Sequence, residues 1–132
     1  RAVGVNRGLA ATALISLAVA TALGAFGAHA LKSMVSATAL ETFRTGHQYH
    51  AWGSAALLAG SLIPSPRAWP WLWTAAAGIA VFSASLYGLA LGGPRLLGAI
   101  APIGGSLMIA GWALAGWHVL KGPHQTKESA PR

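Results

Sequence analysis

The chain has 132 residues, 55% of them apolar and only 8% charged, against about 25% charged in a soluble domain. That length suits one domain, and that composition excludes water as the main solvent. The formal charge of +7 does not point to nucleic acid, because the basic residues stand singly at the ends of apolar runs, where they serve as topology signals and headgroup contacts.

Further function classes are excluded by what is missing. There is no Cys, hence no disulfide, thiolate ligand or Cys nucleophile. There is no Asp, and Glu occurs only as Glu41 and Glu128, which leaves carboxylate proton relays and hard-cation sites without their groups.

In chain order, Arg1 to Arg7 is a short basic start without an initiator Met, which suggests processing or an incomplete start. Residues 8–31 form the first apolar run. Its beginning imitates a signal peptide, with Ala28-His29-Ala30 as an A-x-A site, but the run exceeds the roughly 7–15 residues of such a segment. It reads as a retained helix. The next stretch, from Lys32 to Thr45, is too polar to cross. Met34, Val35, Ala37, Leu40 and Phe43 are spaced for a short interfacial helix, with a plain loop as the alternative.

Residues 46–63 are the second crossing, unusually polar at His47, Gln48, Tyr49 and His50. Pro64, Pro66 and Pro70 then make a turn. Trp69, Trp71 and Trp73 beside it read as an interfacial belt. Residues 71–91 are crossing three, and Gly92-Gly93-Pro94-Arg95 is the next turn. Residues 96–120 are crossing four, with Pro102 and Gly104-Gly105 inside it, and residues 121–132 are a polar tail. A bilayer needs roughly 20 apolar residues per helix, and the runs are continuous rather than alternating. The expected fold is therefore all-α: an integral membrane four-helix bundle in a single membrane domain.

Four crossings place both termini on one side. That side would hold Arg1, Arg7, Arg67, Lys121, Lys127 and Arg132, and the other Lys32, Arg44 and Arg95. The excess of basic residues predicts cytoplasmic termini. His29, His47 to His50, Ser83, Ser85, Tyr87 and the Pro102 to Gly105 stretch would then converge in the outer half. Ala20, Gly24 and Ala28, and separately Gly88 and Gly92, form small-residue ridges for close helix packing.

His29, His50, Tyr49 and Tyr87 are the candidate ligand-binding or interhelical polar cluster. A bis-histidine haem needs such a pair from different helices, and a zinc or copper site would need His47, Tyr49 or Glu41 as well. The bland alternative is imidazoles hydrogen-bonded between helices, and no dense ligand motif argues against it. Pro102 with Gly104-Gly105 marks either an unwound, carbonyl-lined stretch or a simple kink. Ser83 and Ser85 are either ligand contacts or bonded back to their own helix. No Ser-His-acid set, P-loop or dinucleotide fingerprint occurs. No catalytic residue, metal or cofactor is therefore assigned.

Gly24-Ala25-Phe26-Gly27-Ala28-His29, Thr45-Gly46 through Tyr49-His50, Phe82 to Tyr87, and Pro102-Ile103-Gly104-Gly105 with Gly111-Trp112 occur here in an order that resembles the YgdD-like small inner-membrane proteins. That family, a domain of unknown function, is related to the eukaryotic transmembrane protein 256 group. The resemblance spans about Gly8 to Trp117 and implies a four-helix integral membrane protein with no established activity. Family members often carry a second His three residues after the one matching His50; here that position is Gly53, which removes a ligand from any metal or haem site.

These readings lead to a non-enzymatic accessory or structural subunit that packs against a larger membrane protein complex in a bacterial inner membrane. The alternative is a binding protein for a quinone, lipid, haem or other amphipathic ligand, with a small transporter ranked last. The expected partners are the lipid bilayer and that complex, and no nucleic acid.

Overall fold

Helix α1 (Arg7–His29) starts where the Asn6 side chain accepts the Leu9 N–H at 3.0 Å, one of the four donors a helix start leaves unpaired. The backbone N–H of Asn6 donates to the Ser61 carbonyl at 2.8 Å. One residue thus caps α1 and ties it to the far end of the next helix. These features belong to a computed structural model that describes residues 4–122.

A 3-10 turn (Leu31–Ser33) follows, and Ser36 caps helix α2 (Ala37–Ser61) by accepting the Ala39 N–H at 3.1 Å. Helix α3 (Trp69–Ala90) has Pro70 in its first turn, where a missing N–H costs nothing. It leads into Gly92, whose φ of 88° is the left-handed region that glycine enters freely. Helix α4 (Leu96–Lys121) runs unbroken past Pro102.

The protein is all-α: the described residues hold four α-helices and no strand. Helices α1, α3 and α4 are long and apolar enough to cross a membrane. The polar stretch before Gly46 is neither a loop nor a separate interfacial helix. It is the first two turns of α2, which begins at Ala37 rather than at Gly46. Thr42 and Thr45 return their hydroxyls to the carbonyls of Thr38 and Glu41, so polarity here is compatible with a helix. It is only apolarity that a crossing demands. The Pro102 to Gly105 stretch is likewise helical, so it exposes no unwound carbonyls.

Each helix packs on its chain neighbour, α1 on α2, α2 on α3, and α3 on α4. Helix α1 meets α3 only slightly and does not reach α4. The array is therefore an open meander with grooves along its sides. Residue 6 lies against Ser61, and Trp71 stacks on His118 at 6.3 Å, so both described ends of the chain lie at one end of the array.

Glycines set the spacing. On α2, Gly46, Gly53 and Gly60 recur every seven residues. A Cβ on each would meet Leu86, Ile79 and Leu72 of α3 at 3.0, 2.6 and 2.8 Å, and those three also recur every seven. This is knob-into-hole packing with glycine as the hole. The α3–α4 contact is closer still. A Cβ on Gly78 would lie 2.6 Å from the Met108 nitrogen, and one on Gly111 would lie 2.6 Å from the Ala75 nitrogen. In lipid, dispersion and close backbone approach replace the hydrophobic drive. The ridge on α1, expected at Ala20, Gly24 and Ala28, is instead Ala20, Gly24 and Gly27, because Ala28 is exposed. Gly92 serves the turn, not a helix contact.

Candidate functional site

Helices α1, α2 and α3 are joined by one hydrogen-bonded set at mid-height. The Ser54 hydroxyl donates to the His50 carbonyl at 2.6 Å. Its proton is thereby used, so the 2.6 Å contact between Ser16 and Ser54 has Ser16 as donor. Ser16 then accepts from His50 Nε2–H at 2.9 Å. His50 Nδ1 is left as an acceptor, and the Tyr87 hydroxyl donates to it at 2.9 Å. This assignment uses every hydroxyl proton once and leaves His50 neutral. The set closes on the backbone of His50 and does not continue as a path across the bundle.

A groove of about 380 Å³ opens beside this set, between α1 and α3 with α2 as its floor. Its walls include Ser16, His50, Ser83 and Tyr87 among apolar residues such as Leu57 and Ala80. Ser83 is 2% exposed, and its hydroxyl has no hydrogen-bond partner. Neighbouring Ser85 gives its proton to the Val81 carbonyl at 2.6 Å, as Thr74 and Ser106 do to the carbonyls four residues back. Ser83 alone of these is left unpaired. A buried donor without an acceptor costs about 1–3 kcal/mol.

The expected cluster divides. His50 and Tyr87 come together, while His29 and Tyr49 do not join them. His50 is level with Ser16, thirteen residues before His29, which is about 20 Å along the helix at 1.5 Å per residue. His29 stands exposed at the end of α1, so His29 and His50 form no bis-histidine pair. The cause is the early start of α2, which moves His50 from near a membrane face to the helix midpoint. The convergence of all polar residues in one outer half is corrected in the same way.

Tyr49 points to the opposite groove, where it meets the edge of Phe82 at 5.2 Å. His47 holds α1 directly, donating from Nε2 to the Ala20 carbonyl at 2.9 Å. Among the described residues no three His, Cys, Asp or Glu converge as a metal site. The position of the absent second histidine, Gly53, is filled by Ile79. His124 lies outside the described residues.

Ser16 and Ser54 escaped the sequence reading. Ser54 lies four residues after His50, hence on its face, and Ser16 is the lone serine in the first apolar run. Those two signals were available.

The second groove, about 440 Å³, lies between α2 and α4 over Phe82, with Tyr49, Trp52, Ile109 and Trp112 along it. It is apolar and aromatic, and carries no comparable set of hydrogen bonds.

A family model described as "Protein of unknown function (DUF423)" matches residues 23–105. The chain belongs to this family. The match takes in His50, Ser54, Ser83 and Tyr87 but begins after Ser16. Among its relatives is the UPF0382 inner membrane protein YgdD of Escherichia coli K12, 40% identical over 106 residues, covering 77% of this chain and 81% of the relative. UPF0382 membrane protein SSP2132 of Staphylococcus saprophyticus is 40% identical over 99 residues, covering 73% and 82%. UPF0382 membrane protein YwdK of Bacillus subtilis is 39% identical over 105 residues, covering 76% and 85%. No solved structure matches the chain. With its three apolar helices, this DUF423 chain is a small integral membrane protein.

Proposed function

We propose that this chain is a non-catalytic bacterial inner-membrane protein that binds an amphipathic molecule in the groove between α1 and α3. The observation that carries the reading is Ser83, a buried hydroxyl left unpaired in the wall of a mostly apolar groove. Tyr87, His50, Ser16 and Ser54 spend their protons on one another. To pair Ser83, the molecule needs a hydrogen-bond acceptor, such as a carbonyl, on a long apolar body. A phosphate or sugar would bring more polar groups than these walls pair. All four helices cross the bilayer in this reading, with both termini cytoplasmic.

The test is co-purification. The full chain is extracted in a gentle detergent, and the bound lipophilic molecules are identified by native mass spectrometry. The wild type and Ser85→Ala should retain one acceptor-bearing molecule. Ser83→Ala should lose most of it, and Ala84→Phe, which crowds the groove from an exposed position, should exclude it. Retention by all four proteins overturns the reading.

The accessory-subunit reading is second. It is favoured by the aromatic groove between α2 and α4, where Trp52 is 63% and Ile109 72% exposed. Shallow apolar walls of this kind take a helix of another membrane protein. A native gel of gently extracted membranes distinguishes the two: a subunit migrates in fixed ratio with a larger complex.

A further inference from the structure

A third opening lies on the other side of the α1–α2 contact, apart from both grooves. It is a niche of about 200 Å³ lined by Arg44 and His47 over Gly24, Gly27 and Ala28, with Phe43 at its back. Phe43 is buried at 2% exposure and fixed by the ring of Tyr87 at 4.9 Å. His47 is fixed by the Ala20 carbonyl. Two of the walls are thus rigid. The glycines bring bare α1 backbone to the niche: a Cβ on Gly24 would lie 2.6 Å from His47 Nε2, and one on Gly27 would lie 2.7 Å from Phe43.

The niche sits at a membrane face. Gly27 is two residues from the end of α1, about 3 Å along the axis. Lys32 follows at once in the 3-10 turn. Arg95, at the start of α4, belongs to the same end of the array, because α3 and α4 are antiparallel neighbours joined there by a short turn. Against these three cations stands, among the described residues, one acidic side chain, Glu41, which is exposed a turn before Arg44. An arginine beside a cleft between membrane helices is suited to phosphate, since its planar fork bonds two oxygens at once. Basic pockets at this level hold anionic lipid headgroups.

We propose that the niche between α1 and α2 binds the phosphate of an anionic phospholipid, held by the Arg44 guanidinium, with the acyl chains lying along the outer side of α1. The site is independent of the proposed groove ligand, which meets the opposite side of the α1–α2 contact.

The experiment is native mass spectrometry of the full chain in detergent, titrated in parallel with phosphatidylglycerol, phosphatidylethanolamine and inorganic phosphate. The wild type should carry one phosphatidylglycerol in preference to phosphatidylethanolamine. Arg44→Gln should weaken that adduct by about ten-fold, the effect of losing one hydrogen bond to a charged group. Ala28→Leu, which fills the niche from an exposed position without touching the glycine contacts, should abolish it. Lys32→Gln and Arg95→Gln should leave it within two-fold. Equal losses in all three charge variants would mean a diffuse basic surface and overturn the niche. Retention by Ala28→Leu would overturn it too. An adduct of inorganic phosphate without a lipid adduct would assign the niche to a free anion and overturn the lipid assignment.

Discussion

Gly104 and Gly105 are adjacent in sequence and opposite in consequence. An alanine methyl at Gly104 would lie 2.8 Å from the Phe82 Cα and 2.9 Å from the Gly78 carbonyl oxygen. The Phe82 nitrogen is nearer still, and ordinary contact begins at 3.4 Å, so relief requires α3 and α4 to part by at least 0.6 Å (3.4 − 2.8), because all three obstacles are backbone and cannot swing aside. A radial gap of that size forfeits roughly a quarter to a half of each dispersion contact it opens, and overpacking of this kind costs about 1–3 kcal/mol. At Gly105 the same methyl would rest 3.8 Å from the Phe82 ring, an ordinary contact. Both substitutions gain the same helix propensity, about 1 kcal/mol, so it cancels in the comparison. Gly104→Ala should be less stable than Gly105→Ala by about 1–3 kcal/mol. Equilibrium unfolding of the full chain in mixed detergent and dodecyl sulfate micelles, followed by tryptophan emission, measures the difference. Equal midpoints, or a less stable Gly105→Ala, would refute the claim that backbone contact sets the α3–α4 distance.

Three further outcomes rest on other parts of the fold. His50→Ala and Tyr87→Phe should be non-additive, with a coupling of about 0.6–1.7 kcal/mol in a double-mutant cycle, the range for interhelical hydrogen bonds in membranes; additivity would remove the bond as a stabilising contact. Ser83→Ala should raise the stability of ligand-free protein by about 1 kcal/mol, since it deletes an unpaired donor, and a loss of stability in the same unfolding assay would mean that Ser83 has an acceptor. Asn6→Ala should cost about 1 kcal/mol of stability through the lost cap, while Asn6→Ser should recover most of it.

The six-to-three excess of basic residues that predicts cytoplasmic termini draws on Arg1, Lys127 and Arg132, which lie outside the described residues. Among those described, Arg7, Arg67 and Lys121 at one end face Lys32, Arg44 and Arg95 at the other. A reporter fused after Arg132 should read as cytoplasmic, and a periplasmic reading would invert the whole array.

Apolar run length was enough to read the helices at residues 8–31, 71–91 and 96–120 to within two residues, because a bilayer imposes both composition and minimum length on a crossing. The same criterion misplaced the start of α2 by nine residues. Thr38, Glu41, Thr42 and Arg44 are poor in lipid yet acceptable in a helix, so hydropathy marks where a segment can cross and not where it begins to coil. The repeat of Gly46, Gly53 and Gly60 was also legible. Its meaning was not, since a seven-residue spacing becomes a packing surface only when Leu86, Ile79 and Leu72 arrive opposite it.

The sequence by itself determined that this is an all-α membrane protein with no Cys and no Asp, because composition alone decides the solvent and which side chains are present. Only the tertiary structure decided the partners. His50 meets Tyr87, Ser16 and Ser54, and not His29, because helix register fixes depth and packing fixes facing, and neither is a property of one segment. It also decided that Ser83, one of several similar serines, is the buried hydroxyl without an acceptor among the described residues.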